Sequence, residues 1–172
     1  MNQIEEDKVK ELRELVYELD VWLEKNRPEF YTELRPGATK DDLARFQKKL
    51  KLNLPESFNV LYRWRDGQKT KCLDSFQCEK MFMSLQSILE SKQELDSMVG
   101  TEFKSGWWNK RWVPFLDDGA GSYLCIDLTT KGNGRILEFF HDQDSRKPRY
   151  ISLTDWLEEL VRSMKDGSYE TE

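Results

Sequence analysis

Three groups of residues are of types that could do chemistry. His141 is the one histidine of the chain, and Asp142 and Asp144 follow it. An imidazole beside carboxylates could act as a general base or hold a metal ion. Metal binding calls for further histidine or cysteine ligands, and base catalysis needs a nucleophile and an oriented partner. The surrounding sequence offers neither, so His141 reads as a loop residue. Asp117 and Asp118, with Asp127 further on, are the kind of carboxylates that glycoside chemistry uses. The first two adjoin Gly119-Ala120-Gly121, where aspartate is favoured because its side chain bonds its own backbone. Turn building is therefore their expected role. Asp127 ends the apolar run Leu124-Cys125-Ile126. A carboxylate buried there needs hydrogen bonds, and a neighbouring loop is the expected source. Gly119-x-Gly121 and Gly132-x-Gly134 resemble pieces of phosphate loops. Neither opens a helix with a phosphate-loop or dinucleotide pattern, so both read as hairpin turns. The expectation is a recognition protein and not an enzyme, with no catalytic residue, no metal and no cofactor.

The tryptophans carry a different signal. Of the six, Trp22, Trp112 and Trp156 fit core-facing positions. Trp107 and Trp108 are adjacent, after Gly106 and before Asn109-Lys110-Arg111. Neighbours on one strand point to opposite faces, so both cannot enter one core. Aromatic residues near arginine dominate interface energetics, and exposed aromatic patches mark binding surfaces. The candidate partner-binding set is Trp107, Trp108, Asp117, Asp118, Tyr123, Asp142 and Asp144.

Composition narrows the class of partner. A chain of 172 residues suits one domain with a real core. Its 12% aromatic content is inconsistent with disorder, and its 34% charged content implies a very polar surface. The net charge of −5 argues against nucleic acid and would steer a basic protein towards the molecule. Lys69-Thr70-Lys71 and Arg146-Lys147-Pro148-Arg149 are small basic clusters that read as solvated loops. Met1 to Lys10 is charged and lacks the apolar segment of a signal peptide, and no apolar run is long enough for a membrane span. The expected compartment is the cytoplasm. Cys72, Cys78 and Cys125 would be reduced there, with Cys125 as a small core residue.

The elements that must position these residues follow from periodicity. Leu12, Leu15, Val16, Leu19, Trp22 and Leu23 form a helical apolar stripe from about residue 5 to 25. Arg27-Pro28 ends it, and Phe30, Tyr31 and Leu34 read as a connector. Thr39 caps a second helix, with Asp41 and Asp42 in its first turn and Leu43, Phe46 and Leu50 on its buried face. Pro55 serves as an early position of a third helix, lined by Phe58, Leu61, Tyr62 and Trp64, with Gly67 expected just past its end. Lys69 to Lys80 is loop-like, and Met81 to Met83 could be a short strand. Ser84 caps a helix that stops near Gly100. Trp112 to Leu116, Tyr123 to Leu128 and Arg135 to Phe140 read as strands joined by short turns, hence antiparallel. Thr154-Asp155 is the expected cap of a last amphipathic helix. Helices at both ends and strands between them give an α+β order.

Three stretches together resemble the SUKH superfamily, in its branch named for the fungal Smi/Knr regulator of cell-wall synthesis. The first runs from Trp22-Leu23 and Pro28 through Leu34 to Thr39. The second runs from Leu54-Pro55 to Asp66-Gly67-Gln68. The third includes Trp112-Val113-Pro114-Phe115, Gly119, Gly121, Leu124, Asp127, Gly134, Ile136, His141-Asp142 and Trp156-Leu157. Residues 69–106 are not matched position by position. The resemblance implies N-terminal helices and a C-terminal helix packed on a curved antiparallel sheet. It also marks Pro55, Asp66, Gly67, Trp112, Pro114, Gly121, Asp127 and Trp156 as structural motif residues. One domain is expected over 1–172, with a helical extension (1–35), a core (36–165) and an acidic tail (166–172). Many bacterial members look like immunity proteins that occlude a toxin, and fungal members act as regulatory scaffolds. The resemblance therefore implies a non-enzymatic protein binder. An immunity protein for a basic toxin domain is the first expectation, and a cell-wall regulator is the alternative. Nucleic-acid and membrane partners are not expected.

Overall fold

A computed structural model of the chain describes residues 3–172, without the side chain of Glu5. The first two residues of the charged N-terminal segment lie outside the described residues. The elements run α1 (Gln3–Asn26), α2 (Pro28–Glu33), α3 (Lys40–Leu50), α4 (Glu56–Trp64), β1 (Met81–Phe82), α5 (Leu85–Ser97), β2 (Trp112–Asp117), β3 (Tyr123–Asp127), β4 (Arg135–Phe139), β5 (Pro148–Tyr150) and α6 (Leu153–Asp166).

On α1, Leu12, Val16, Leu19 and Leu23 recur every three or four residues, and all are buried. They join one apolar core with Phe58 and Leu61 of α4 and Trp156 and Leu160 of α6. Helix α1 thus packs directly against α4 and α6. The expected connector after Pro28 is the short helix α2. Proline opens it at a position where no backbone donor is required, and Phe30 is its buried contact, stacked on Phe76 at 6.1 Å. Thr39 and Asp42 form a reciprocal cap on α3: the Thr39 hydroxyl accepts from Asp42 N–H at 3.1 Å, and Asp42 Oδ2 accepts from Thr39 N–H at 2.9 Å. Pro55 is the N-cap residue of α4, and Ser152, two residues before the expected Thr154, caps α6.

The five strands form one antiparallel sheet in the order β1-β2-β3-β4-β5. The strand β5, where the basic cluster implies a solvated loop, is its three-residue edge. A bulge lies between Pro114 and Leu116, where a residue without an N–H interrupts the ladder. Side chains alternate across the sheet. Val113, Phe115, Leu124, Ile126 and Ile136 enter the main core with the helices. Trp112, Cys125, Leu137 and Phe139 face the other way, under Leu95 and Trp108. Both faces are covered, which is why the strands read as nearly unbroken apolar runs. Lys80 Nζ meets Glu138 Oε1 at 3.1 Å although β2 and β3 lie between β1 and β4.

Asp66-Gly67-Gln68 is the junction of the fold. The helix α4 stops at Trp64, and its C-cap residue Arg65 is extended, so Gly67 is not the helix terminator expected from sequence. Its φ is 69°, and a Cβ there would lie 2.4–2.6 Å from the backbone of Met83 and Ser84. Glycine is required because two chain segments touch at this point. Asp66 Oδ1 accepts from the first amide of α5, Leu85 N–H, at 2.7 Å. Burial raises the Asp66 carboxyl above its ordinary value, against the donated Leu85 N–H and the Arg35 guanidinium. Gln68 is buried and tied to β1 through both its main chain and its side chain. Its N–H donates to Phe82 O at 2.9 Å, its Oε1 accepts Phe82 N–H at 2.8 Å, and its Nε2 donates to Cys72 O and Asp74 O, each at 2.9 Å.

Candidate protein-binding site

Three loops meet at one end of the sheet: the β2–β3 turn, the β4–β5 loop and the aromatic loop before β2. The turn is built by its aspartates. Asp117 Oδ1 accepts from Gly119 N–H at 2.7 Å, and Asp118 Oδ1 accepts from Ala120 at 2.8 Å and Ser122 at 2.9 Å. These are side chain to backbone bonds of the kind that close turns. Burial raises the Asp117 carboxyl above its ordinary value, the Gly119 N–H opposes this, and the charge of Asp118 adds to it. Gly121, at φ 96°, lets the turn fold back beside His141.

Tyr123 is half-buried, with Asp117 opposite on one neighbouring strand and Phe139 on the other. Burial, helped by the charge of Asp117, pushes its phenol from 10.0 to about 12. Ser122 ties the turn to the β4–β5 loop, its hydroxyl lying 3.1 Å from His141 Nδ1. His141 is exposed, and the group that orients it is a hydroxyl rather than a carboxylate. Asp142 and Asp144 are exposed on the same loop.

The aromatic loop divides its two tryptophans. Trp107 is half-buried between two cations, with Lys104 Nζ 4.6 Å and Arg146 Cζ 4.8 Å from its ring. Arg146 holds the loops together. It donates to Trp107 O from Nε at 3.2 Å and Nη2 at 3.0 Å, to Ser145 O at 2.8 Å and to Gln143 O, and it lies over Phe139 at 4.4 Å. Lys104 pairs with Asp144 Oδ1 at 2.6 Å. Trp108, assigned to the surface from sequence, is only 4% exposed. It meets Trp112 and Phe139 edge-on at 5.5 and 5.1 Å, and its Nε1 donates to Asp96 Oδ1 at 2.8 Å. Asp96 also pairs with the buried Lys92 at 3.1 Å. Trp108 is therefore the foundation of the site and not part of its surface. Six of the seven candidate residues gather at this end of the sheet, and the seventh lies beneath them.

Arg146, Lys104 and Phe139 belong to the site and were not in the candidate set. The only sequence signal was the basic cluster that starts at Arg146, whose stacking on Trp107 requires two loops 39 residues apart in the chain. The surface is mixed in charge, because Lys104 and Arg146 sit among Asp118, Asp142 and Asp144. Among the described residues, no group of His, Cys, Asp or Glu is arranged to hold a metal ion.

Outside the site, the motif residues are structural in their contacts. Asp127 Oδ1 accepts from Thr129 N–H at 3.0 Å and from Thr129 Oγ1 at 2.6 Å. A Cβ at Gly132 would fall 2.0 Å from the Asp127 carboxylate carbon, so that loop closes only with glycine there. Trp156 is fully buried, its Nε1 donating to Gln77 Oε1 at 2.8 Å. None of the described helices is long and apolar enough to cross a membrane.

Comparison with known proteins gives a consistent assignment. A family model described as SMI1 / KNR4 family (SUKH-1) matches residues 37–159. A glucan synthesis regulatory protein of Neurospora crassa is 22% identical over 200 residues, which cover 87% of this chain and 37% of that protein. F-box only protein 3 of Bos taurus is 24% identical over 88% of this chain and 34% of its own length. F-box protein SKIP16 of Arabidopsis thaliana is 44% identical over 61 residues, 36% of this chain and 14% of that protein. The chain thus spans well under half the length of each of these relatives.

Proposed function

The chain belongs to the SMI1/KNR4 (SUKH-1) family, and we propose that it is a non-enzymatic protein-binding domain of the regulatory or scaffold kind. The partner docks on the end of the sheet that carries Trp107. The observation that carries this reading is the preset geometry of Trp107, held between Lys104 and Arg146 with part of its ring in solvent. An aromatic ring already fixed in place loses little freedom when a partner covers it, so its contact area converts efficiently into affinity. The carboxylates and the histidine at the same end engage backbone amides and a serine hydroxyl, which suits shaping a surface more than moving protons.

The regulatory role is favoured over immunity by the name of the Neurospora relative. Immunity is the second reading, and the net charge of −5 supports it, because that charge would speed encounter with a basic toxin. The mixed charge of the Trp107 end weakens it. The free thiols of Cys72, Cys78 and Cys125 fit a reducing compartment such as the cytosol. The test is affinity measurement with a captured partner: Trp107→Ala is expected to weaken binding roughly thirtyfold while leaving the fold intact. Full binding by the folded variant would remove this surface from the account. Rescue of cells from a toxin by co-expression would favour immunity over regulation.

A further inference from the structure

The segment that follows α6 is seated on the molecule. Gly167, in the left-handed region at φ 81°, ends the helix, and the chain then reaches the hairpin of residues 75–80. That hairpin closes with a two-residue turn, in which Lys80 N–H donates to Gln77 O at 2.9 Å and Gln77 N–H to Lys80 O at 3.1 Å. Its central residues, Cys78 and Glu79, have φ of 46° and 59°. Turns of this hand favour glycine and asparagine, so this one is strained. Its two central amides are both taken by the trailing segment: Cys78 N–H donates to Glu170 O at 3.0 Å, and Glu79 N–H to Thr171 O at 2.9 Å.

One side chain anchors the segment. The ring of Tyr169 meets Trp22 edge-on at 5.1 Å. Its hydroxyl donates to Phe76 O and accepts from Arg27 Nη1, the latter at 2.8 Å. Arg27 is itself fixed, donating to Ser75 O at 2.9 Å and lying 4.1 Å over the Phe30 ring. The pocket thus presents one acceptor and one cationic donor to a single oxygen. A tyrosine hydroxyl satisfies both, whereas phenylalanine leaves both unmet and a phosphorylated tyrosine has no proton for the carbonyl. Main-chain bonds along an extended segment with one specific side-chain pocket are a recurring form of peptide recognition. Beside Trp22 the surface continues into an open groove of ≈ 500 Å³ between α1 and α6, lined by Tyr17, Val21 and Met164. Tyr17 is 70% exposed there.

We propose that Trp22, Arg27, Phe76 and the 77–80 turn form a second binding site, for an extended, tyrosine-anchored segment of a partner protein. Residues 168–171 are its resident occupant, which such a segment displaces. The site lies on the helical face of the sheet, so its fate is independent of the Trp107 end. The probe is a fluorescein-labelled peptide, Gly-Ser-Tyr-Glu-Thr-Glu, titrated against the full chain and against Tyr169→Ala. The variant is expected to bind at least tenfold more tightly than the wild type, and a peptide with phenylalanine for tyrosine to bind at least fivefold more weakly. Equal affinity for both proteins, or no binding by the folded variant, would overturn the proposal. Should Tyr169→Ala not fold, hydrogen exchange in Tyr169→Phe decides. The amides of Cys78 and Glu79 are expected to exchange at least tenfold faster while those of α4 are unchanged. Unchanged protection at 78 and 79, or loosening of the whole molecule together, would show the segment to be core and overturn the proposal.

Discussion

Trp107 and Trp108 are adjacent residues with opposite roles, and the difference lies in their partners. Trp108 finds a carboxylate for its indole N–H and two aromatic edges for its ring. Trp107 finds two cations and solvent. Trp108→Ala is accordingly expected to destabilise the protein by about 3–5 kcal/mol, read as a lowered denaturation midpoint. Trp107→Ala should leave that midpoint nearly unchanged and weaken partner binding by about 2 kcal/mol, roughly thirtyfold. Tyr123 gives a pH signature at the same site. Its phenol rises from 10.0 to about 12 on folding, so the protonated form is favoured in the folded state. Its contribution to stability is complete below the unfolded value and is lost as pH rises through the folded one. Urea midpoints measured over that alkaline window should fall more steeply for the wild type than for Tyr123→Phe.

The elements stand on junctions that periodicity does not reveal. Asp66→Ala leaves the first amide of α5 without its acceptor and is expected to cost about 1–3 kcal/mol in a denaturation series. Gly67→Ala adds a side chain where backbone already lies within 2.6 Å, in a left-handed conformation. It should destabilise by more than the roughly 1 kcal/mol that a tolerated glycine-to-alanine change gains, and a variant of wild-type stability would contradict this reading of the junction. The helices α1, α3, α4 and α5 were legible because their apolar spacing and caps are local, as with Thr39 and Ser84. The strands β2, β3 and β4 were legible as apolar runs between glycine turns. The helix α2 was not, because six residues beginning with a proline carry too little periodicity. Nor was β5, whose Pro148-Arg149-Tyr150 becomes a strand only by pairing with β4. Gly67 is visible in sequence but its reason is not, since the segment it touches lies sixteen residues further on. The candidate site was legible in its acidic and aromatic members. Its organising residue, Arg146, was hidden because stacking between loops leaves no sequence spacing.

At the scale of the molecule, a sheet covered on both faces leaves its loop ends and helical rims as the places where a partner can dock. The helices α1, α4 and α6 close one face, and the end of α5 at Leu95 with the aromatic loop closes the other, so the Trp107 end is based from beneath by Trp108, Asp96 and Lys92. If the proposed site is right, such a surface would bind without rearrangement, and a partner is expected to associate with the folded chain. The most direct measurement is quantitative capture from a lysate of the native cell, using wild type and Trp107→Ala in parallel, both verified as folded. A small set of proteins is expected to be held by the wild type and depleted at least tenfold with the variant. Equal retention of the same proteins by both chains would contradict a partner site at Trp107.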